Sequence, residues 1–191
     1  ILWAMAQGVP VLGAASMGAL RAAELAPFGM TGIGEIFERY AAGDLTRDAD
    51  VAIAHAPAAL GWQPLSIAVV DVEARLRRAI AATASTVGEA RLATWIDAAR
   101  AIPLRDRTEA AVVARWRRLD PPLRPPAALM AGVVDDAFSL KRADAALLVA
   151  RLASPSPRPA APAVPEDGFH VRALAVAERA WRVSGGKAGG A

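Results

Sequence analysis

The chain has 191 residues, of which 54% are hydrophobic, so a packed core is feasible over most of its length. The formal charge is only +3 and basic residues alternate with acidic ones, which argues against a nucleic-acid-binding surface. The absence of cysteine excludes disulfides, thiolate metal sites and a cysteine nucleophile. We predict neither a membrane span nor a signal peptide, and the cytoplasm is the expected location.

The opening segment predicts a helix, a strand and a second helix in succession. Ile1–Gln7 is apolar and helix-like, and it is followed by Gly8, a residue that commonly ends a helix. No N-cap residue precedes it. Val9–Ala14 has the length and composition of a buried parallel strand, and a helix is predicted from Met17 to Leu25. Because one strand cannot form a stable sheet, we expect further strands before Ile1. The fold class is therefore α/β: the C-terminal part of a parallel-sheet domain, truncated at its N-terminus.

The following residues predict loops first and then a helical region. Residues 28–34 form a glycine-rich connector, Glu35–Ala42 a helix, and Val51–His55 a second possible strand. Five more helices are predicted: Leu65–Ala84, Gly88–Arg100 with Thr86 as a plausible cap, Asp106–Leu119, Ala127–Phe138 and Leu140–Leu152.

The composition suggests three parts to the chain. Residues 1–66 are the α/β core, and residues 67–153 are the helical part of the same domain. Residues 154–191 are rich in Pro and Ala, which predicts a disordered tail, with a possible short helix over Phe169–Val183.

Ser16 is the most informative residue, because it stands between the predicted strand and helix in the segment Gly13-Ala14-Ala15-Ser16-Met17-Gly18. This is the layout of a nucleophile elbow, although Ala14 replaces the first glycine of the usual pattern. The simplest alternative is that the serine caps the following helix, and a third interpretation is that this helix N-terminus holds a carboxylate or phosphate. These three interpretations stay open at this point.

A serine nucleophile needs a base, and His55 is the better placed of two histidines because it ends a predicted strand. His170 lies beyond the Pro-rich segment. Arg21 and Glu24 are three residues apart on the first long helix. They form either a solvated ion pair or, through Arg21, a contact to an anionic substrate near Ser16.

Two further charged groups have simpler interpretations. Asp44, Asp48 and Asp50 lack the order and the closing Glu of an EF-hand, so we expect no metal site. Lys141, Arg142 and Asp144 cluster at the start of a predicted helix, where a polar helix face is the simplest interpretation.

The segment Gly13 to Leu25 resembles the hallmark sequence of the TfuA-like proteins. The resemblance extends over roughly Ile1 to Leu152. It is carried also by Gly29-Met30, Gly32-Ile33-Gly34-Glu35-Ile36-Phe37, Tyr40, His55 with Pro57, Gly61-Trp62-Gln63-Pro64-Leu65-Ser66 and Lys141-Arg142-Ala143-Asp144-Ala145. The family also leads us to expect an acidic residue near Ala59 and an Asn-Ile-Arg-like run in place of Asp71-Val72-Glu73, and this chain has neither.

The resemblance implies a function in peptide backbone thioamidation. TfuA-like proteins accompany YcaO enzymes, and the family is thought to deliver sulfur by hydrolysing a thiocarboxylated ubiquitin-like carrier protein. The implied partners are a YcaO-type enzyme, that carrier and a precursor peptide, with no nucleic acid, membrane, metal or cofactor. Ser16 and His55 are then the expected catalytic residues. The expected substrate-binding residues are Gly13, Met17, Gly18, Arg21 and Glu24. The alternative is a non-catalytic adaptor that docks YcaO with its peptide or sulfur carrier.

Overall fold

The computed structural model describes residues 1–154, and within them two short strands and eight α-helices follow one another, with short 3-10 turns in some of the connections. The α/β part contains α1 (Leu2–Ala6), β1 (Leu12–Ala14), α2 (Met17–Leu25), β2 (Thr31–Ile33) and α3 (Glu35–Ala42). The helical part contains α4 (Val69–Ala82), α5 (Glu89–Arg100), α6 (Glu109–Arg117), α7 (Ala127–Asp135) and α8 (Leu140–Ala153). The predicted fold class, a parallel α/β part followed by helices, is confirmed. The predicted tail and the Phe169–Val183 helix lie outside the described residues.

β1 and β2 are parallel neighbours, and α2 is the crossover between them, so the segment is a βαβ unit. The register pairs Gly13 with Gly32, and Thr31 N donates to Val11 O at 3.0 Å. The sequence predicted only a connector at β2. Three residues with a central glycine have little strand propensity of their own, and pairing with β1 supplies the missing stabilisation.

Glycines let both neighbouring helices approach this sheet closely. A Cβ at Gly13 would lie 2.0 Å from the carbonyl oxygen of Gly18 in α2. A Cβ at Gly32 would lie 1.9 Å from the ring of Phe37 in α3. A side chain at Gly13 would therefore push α2 away from the sheet, and one at Gly32 would displace the Phe37 ring.

Asp144 of α8 joins the helical part to the α/β part. Its carboxylate accepts from Glu35 N at 3.0 Å and from Ile36 N at 2.9 Å, which caps the first turn of α3. Asp144 is 1% exposed, and burial raises the pKa of its carboxyl although the two N–H groups act in the opposite direction. The polar helix face predicted for this cluster is thus wrong for Asp144, whose side chain points inward.

The predicted strand Val51–His55 is wrong. The segment instead runs into a loop, in which a single antiparallel bridge pairs His55 with Pro64. The backbone groups of Ala54 bond locally: Leu65 N donates to Ala54 O at 2.8 Å, and Ala54 N donates to the hydroxyl of Ser66 at 2.8 Å. Because these groups are satisfied within the loop, the segment does not join the parallel sheet.

The main core lies between α4, α5, α6 and α7, around the fully buried Trp95 and Trp116. Helix starts fall later than predicted, since α4 begins at Val69 and α6 at Glu109. Thr108 caps α6 by accepting from Ala111 N at 3.1 Å, whereas α5 begins after Gly88 and not at a Thr86 cap. None of the helices in residues 1–154 is both long and apolar enough to cross a membrane.

Candidate functional site

A tight, strained turn connects β1 to α2. Ala15 has φ +68°, a value that non-glycine residues seldom adopt, and Ser16 N donates to Ala14 O at 2.8 Å. The turn places Ser16 directly before Met17, the first residue of α2. Backbone strain at a strand-to-helix turn is typical of positions where a side chain must be presented at a site.

The Ser16 hydroxyl is turned away from its own helix. It makes no capping hydrogen bond to α2 and instead donates to Val51 O at 3.1 Å. The interpretation of Ser16 as a side-chain cap is therefore not what the structure shows. The first residues to bond back within α2 are Ala19 and Leu20, both to Ser16 O. The N–H groups of Met17 and Gly18 precede them and have no acceptor within the helix, so they can face an anion or an oxyanion.

The Val51 carbonyl is shared by a second donor. Lys141 Nζ, from the first turn of α8, donates to the same oxygen at 2.5 Å. Val51 itself is fully buried, and the preceding Asp50 is fixed by Arg100 of α5 through Nε at 3.0 Å and Nη2 at 3.0 Å. Ser16 and Lys141 are therefore neighbours across one well-anchored carbonyl group.

His55 lies on the loop that follows. Its Nδ1 is 3.0 Å from Trp62 O, and since a carbonyl oxygen only accepts, Nδ1 carries the proton. In the neutral ring Nε2 is then an acceptor, as a general base requires. Within the described part of the chain, no hydrogen bond joins His55 to Ser16, whose hydroxyl is directed to Val51.

A cavity of about 540 Å³ brings these groups together. Its wall combines the β1–α2 turn, the loop around His55, and residues of α4, α6 and α8. The polar side chains that line it are Ser16, His55, Ser66, Asp71, Arg75, Glu109, Ser139, Lys141 and Arg142. The two residues predicted to be catalytic thus line one cavity.

The residues predicted to bind substrate do not line this cavity. Gly13 and Gly18 pack against each other, where the lack of a side chain sets the distance between β1 and α2. Met17 is exposed at the surface. Arg21 and Glu24 pair with each other on a half-exposed face of α2, which agrees with the ion-pair interpretation.

A buried carboxyl and a partly buried ammonium group, Asp71 and Lys141, lie side by side in the cavity wall. Burial raises the pKa of the Asp71 carboxyl, although Lys141 N–H and the Ser139 hydroxyl donate to it at 3.3 and 3.1 Å. Burial also lowers the pKa of the Lys141 ammonium, while the charge of Asp71 acts to raise it. In both groups desolvation is the largest contribution, so each neutral form is favoured more than in water.

Three residues of the cavity wall were not predicted as site residues: Asp71 and Arg75 of α4 and Lys141 of α8. Arg75 donates to Phe138 O at 2.8 Å and to Glu109 at 3.2 Å, which ties α4 to the start of α8 and to α6. The only available signal was the Lys141-Arg142 pair at the start of a helix. Nothing local in the sequence indicates that this helix reaches back to Ser16.

The acidic loop has a structural explanation. Asp50 is buried against Arg100, and no group of three or more metal-ligating side chains is found in residues 1–154. The acidic residues of this loop therefore do not converge on a common centre.

Fold and site together define an α/β protein in which a serine, presented by a strand-to-helix turn, lines a cavity with several cationic side chains. A family model described as TfuA-like protein matches residues 1–108, more than half of the chain. The chain therefore belongs to the TfuA-like family. The match includes Ser16, His55 and Asp71 but ends before α8, and so covers less of the chain than the expected Ile1 to Leu152. No curated protein matches the sequence.

Proposed function

We propose that this TfuA-like protein supplies sulfur to a YcaO-type enzyme by hydrolysing a thiocarboxylated carrier protein, so that the sulfide can enter a backbone thioamide of a precursor peptide. The observation that carries the proposal is the position of Ser16, at the carboxyl end of a parallel strand and in the wall of a cavity. Family membership supports the same choice of chemistry.

The charges around the cavity suit an anionic acyl group. Arg75, Lys141 and Arg142 line it together with Asp71 and Glu109, so cations outnumber carboxylates. A thiocarboxylate at the end of a flexible carrier tail carries one negative charge, which guanidinium and ammonium groups attract. The N–H groups of Met17 and Gly18 have no acceptor within α2, follow Ser16 directly in the chain, and suit the oxyanion of an acyl-transfer step.

The overall reaction is the exchange of sulfur for oxygen at one acyl carbon. The thiocarboxylate RC(O)S⁻ and one water yield the carboxylate RCOO⁻ and H₂S. Ser16 either attacks the acyl carbon itself or holds the carrier terminus while water attacks. His55 lines the same cavity, and its Nε2 can accept a proton from the attacking hydroxyl or water.

Both predicted parts of the domain contribute to this site. Ser16 and His55 belong to residues 1–66, whereas Asp71 and Lys141 belong to residues 67–153. We therefore propose that the two parts act as one functional unit, as the sequence suggested.

A non-catalytic adaptor is the second candidate function. The loop beside His55 exposes three large apolar side chains, Leu60, Trp62 and Leu65, and Trp62 is 65% exposed. Exposed aromatic and aliphatic residues next to a polar cavity are typical of a protein-binding surface. In this case Ser16 is structural, and the loop docks YcaO with its peptide or with the carrier.

An assay of sulfide release from a thiocarboxylated carrier protein distinguishes the hydrolase from the non-catalytic adaptor. We expect the wild type to release sulfide and Ser16→Ala to lose the activity by about a hundredfold or more. Ser154→Ala is a matched control, because Ser154 is exposed at the C-terminal end of α8. Circular dichroism spectra of all three proteins establish that each is folded.

The assay is run with and without the YcaO enzyme. Release that needs Ser16 but not YcaO supports the hydrolase. If the folded wild type releases no sulfide unless YcaO is present, and Ser16→Ala stimulates that release equally well, the hydrolase proposal fails and the adaptor takes its place.

A further inference from the structure

A second cavity lies in the helical part, where α5 begins. It has a volume of about 560 Å³ and shares no lining residue with the cavity of Ser16. Its wall combines the connection from α4 to α5, the first two turns of α5, the connection from α6 to α7, and α7 itself. We call it the arginine cavity, because Arg91 and Arg124 stand in its wall.

Backbone carbonyl groups hold the two arginines in place. Arg91 Nη1 donates to Pro122 O at 2.5 Å, and Arg124 Nε donates to Leu119 O at 2.6 Å. A guanidinium group has five N–H donors, and within residues 1–154 neither side chain makes another hydrogen bond. Each arginine therefore keeps most of its donors for a further acceptor while its position is fixed.

No negative charge of the protein balances these two cations. The cavity wall contains no carboxylate, and within the described residues neither arginine forms an ion pair. Glu89 is the acidic residue nearest to Arg91 in the chain, but its two oxygens accept from Arg77, both at 3.2 Å. Two uncompensated positive charges in one cavity repel each other and attract an anion.

We propose that the arginine cavity binds a small phosphate ester, with the phosphoryl group on Arg91 and Arg124. A phosphoryl group has three terminal oxygens and up to two negative charges, so it can accept from two guanidinium groups at once. A single arginine is enough to pair both oxygens of a carboxylate, which makes a carboxylate the poorer match. The hydroxyl of Thr86, in the same wall, is a further donor.

The rest of the wall suits the organic part of such an ester. The apolar side chains of Val87, Trp95 and Leu129 line the cavity beside the arginines. Its volume falls within the range of roughly 300–1,000 Å³ that is usual for small-molecule sites. Arg124 and Leu129 lie beyond residue 108, where the family match ends, and neither lines the cavity of Ser16. The inference therefore goes beyond the proposed sulfur chemistry and does not depend on it.

Phenyl phosphate is a suitable probe, because it joins one phosphoryl group to one apolar ring. Isothermal titration calorimetry of the full chain, in a phosphate-free buffer of low ionic strength, measures its Kd. We expect saturable binding at one site, weakened about tenfold or more in Arg91→Gln and in Arg124→Gln. Arg105→Gln is the matched control, because it removes the same charge from an exposed position beyond the other end of α5. Its Kd should stay within about twofold of the wild-type value.

Two related anions define the class of ligand. Benzoate places a carboxylate on the same ring, and inorganic phosphate lacks the ring, so both should bind more weakly than phenyl phosphate. Binding of benzoate as tight as that of phenyl phosphate would overturn the choice of a phosphoryl group. Binding of inorganic phosphate as tight as that of phenyl phosphate would overturn the choice of an ester.

A second measurement needs no variant, and so decides the question even if loss of a carbonyl tether unfolds Arg91→Gln or Arg124→Gln. Phenylglyoxal modifies accessible guanidinium groups, and peptide mass spectrometry gives the rate at each arginine. With phenyl phosphate at about ten times its Kd, Arg91 and Arg124 should react about tenfold more slowly and Arg105 at an unchanged rate. Absence of saturable binding, an equal loss of affinity in Arg105→Gln, or equal protection of all three arginines would each overturn the inference.

Discussion

The helical core and the turn that carries Ser16 differ in how well their polar groups and backbone are stabilised. In the core, each buried indole N–H has a carbonyl partner: Trp116 donates to Trp95 O at 2.8 Å and Trp95 donates to Leu123 O at 2.6 Å. At the turn, Ala15 is strained, and the buried Asp71 and the partly buried Lys141 line a cavity. Regions that carry chemistry commonly retain unfavourable features of this kind, and the rest of the fold must compensate for them.

The two regions are joined by charged groups. Arg100 of α5, a core helix, binds Asp50, and the following residue provides the carbonyl that both Ser16 and Lys141 contact. Ile67, just before α4, donates its N–H to Arg107 O at 2.7 Å. The core therefore fixes the position of the site, and Ile67 belongs both to the core and to the cavity wall.

The largest expected effect comes from removing core volume. Trp116 is fully buried, so Trp116→Ala should lower the free energy of unfolding by about 3–5 kcal/mol through lost burial and the cavity left behind. Urea unfolding followed by tryptophan fluorescence and circular dichroism measures the change. Val149→Ala, at an exposed position of α8, should change it by less than about 0.5 kcal/mol. Equal losses in the two variants would contradict the assignment of the core.

A smaller effect, with a distinct pH dependence, is expected at the cavity. Because burial raises the pKa of the Asp71 carboxyl, folding favours its protonated form. Its contribution to stability is present below the ordinary pKa of 3.8 and is lost as the pH rises through the folded-state value. The stability of the wild type relative to Asp71→Asn should therefore fall as the pH is raised from about 3.5 to about 7. Urea titrations at several pH values test this. A relative stability that rises with pH would contradict the upward direction of the Asp71 pKa shift.

The smallest effect is expected on the exposed face of α2. Arg21 and Glu24 form an ion pair whose side chains are 49% and 45% exposed, so Arg21→Ala should change stability by less than about 0.5 kcal/mol. Because Arg21 does not line the cavity, sulfide release should stay at the wild-type rate. A large loss of release in a folded Arg21→Ala protein would mean that the substrate extends from the cavity onto this face.

The features that sequence analysis predicted correctly are those set by neighbouring residues. The strand before Ser16, helix α2 and the end of α3 at Gly43 follow from local apolar patterns and glycine positions. Ser16 and His55, the residues expected to be catalytic, line one cavity, although the expectation rested on two apolar segments that were both predicted to be strands. The second of those segments, however, is a loop and not a strand.

The features that were missed depend on contacts between distant residues. β2 exists because it pairs with β1, and a Thr-Gly-Ile sequence gives no signal of that pairing. Lys141 reaches a carbonyl 90 positions earlier in the chain. A single sequence records the identity of such a residue but not its partner, so Lys141 could only be interpreted as part of a polar helix face.

The carboxylate of Asp144 has a practical consequence for dissecting this protein. It caps α3 from 109 positions away, so the helix that begins at Glu35 depends on a residue near the end of the described chain. A protein cut after residue 108, where the family match ends, would leave the first turn of α3 uncapped and would remove the cavity wall that contains Lys141. The first half of the chain, which the family model matches, is thus not a natural unit for excision, and α8 belongs in any minimal functional fragment.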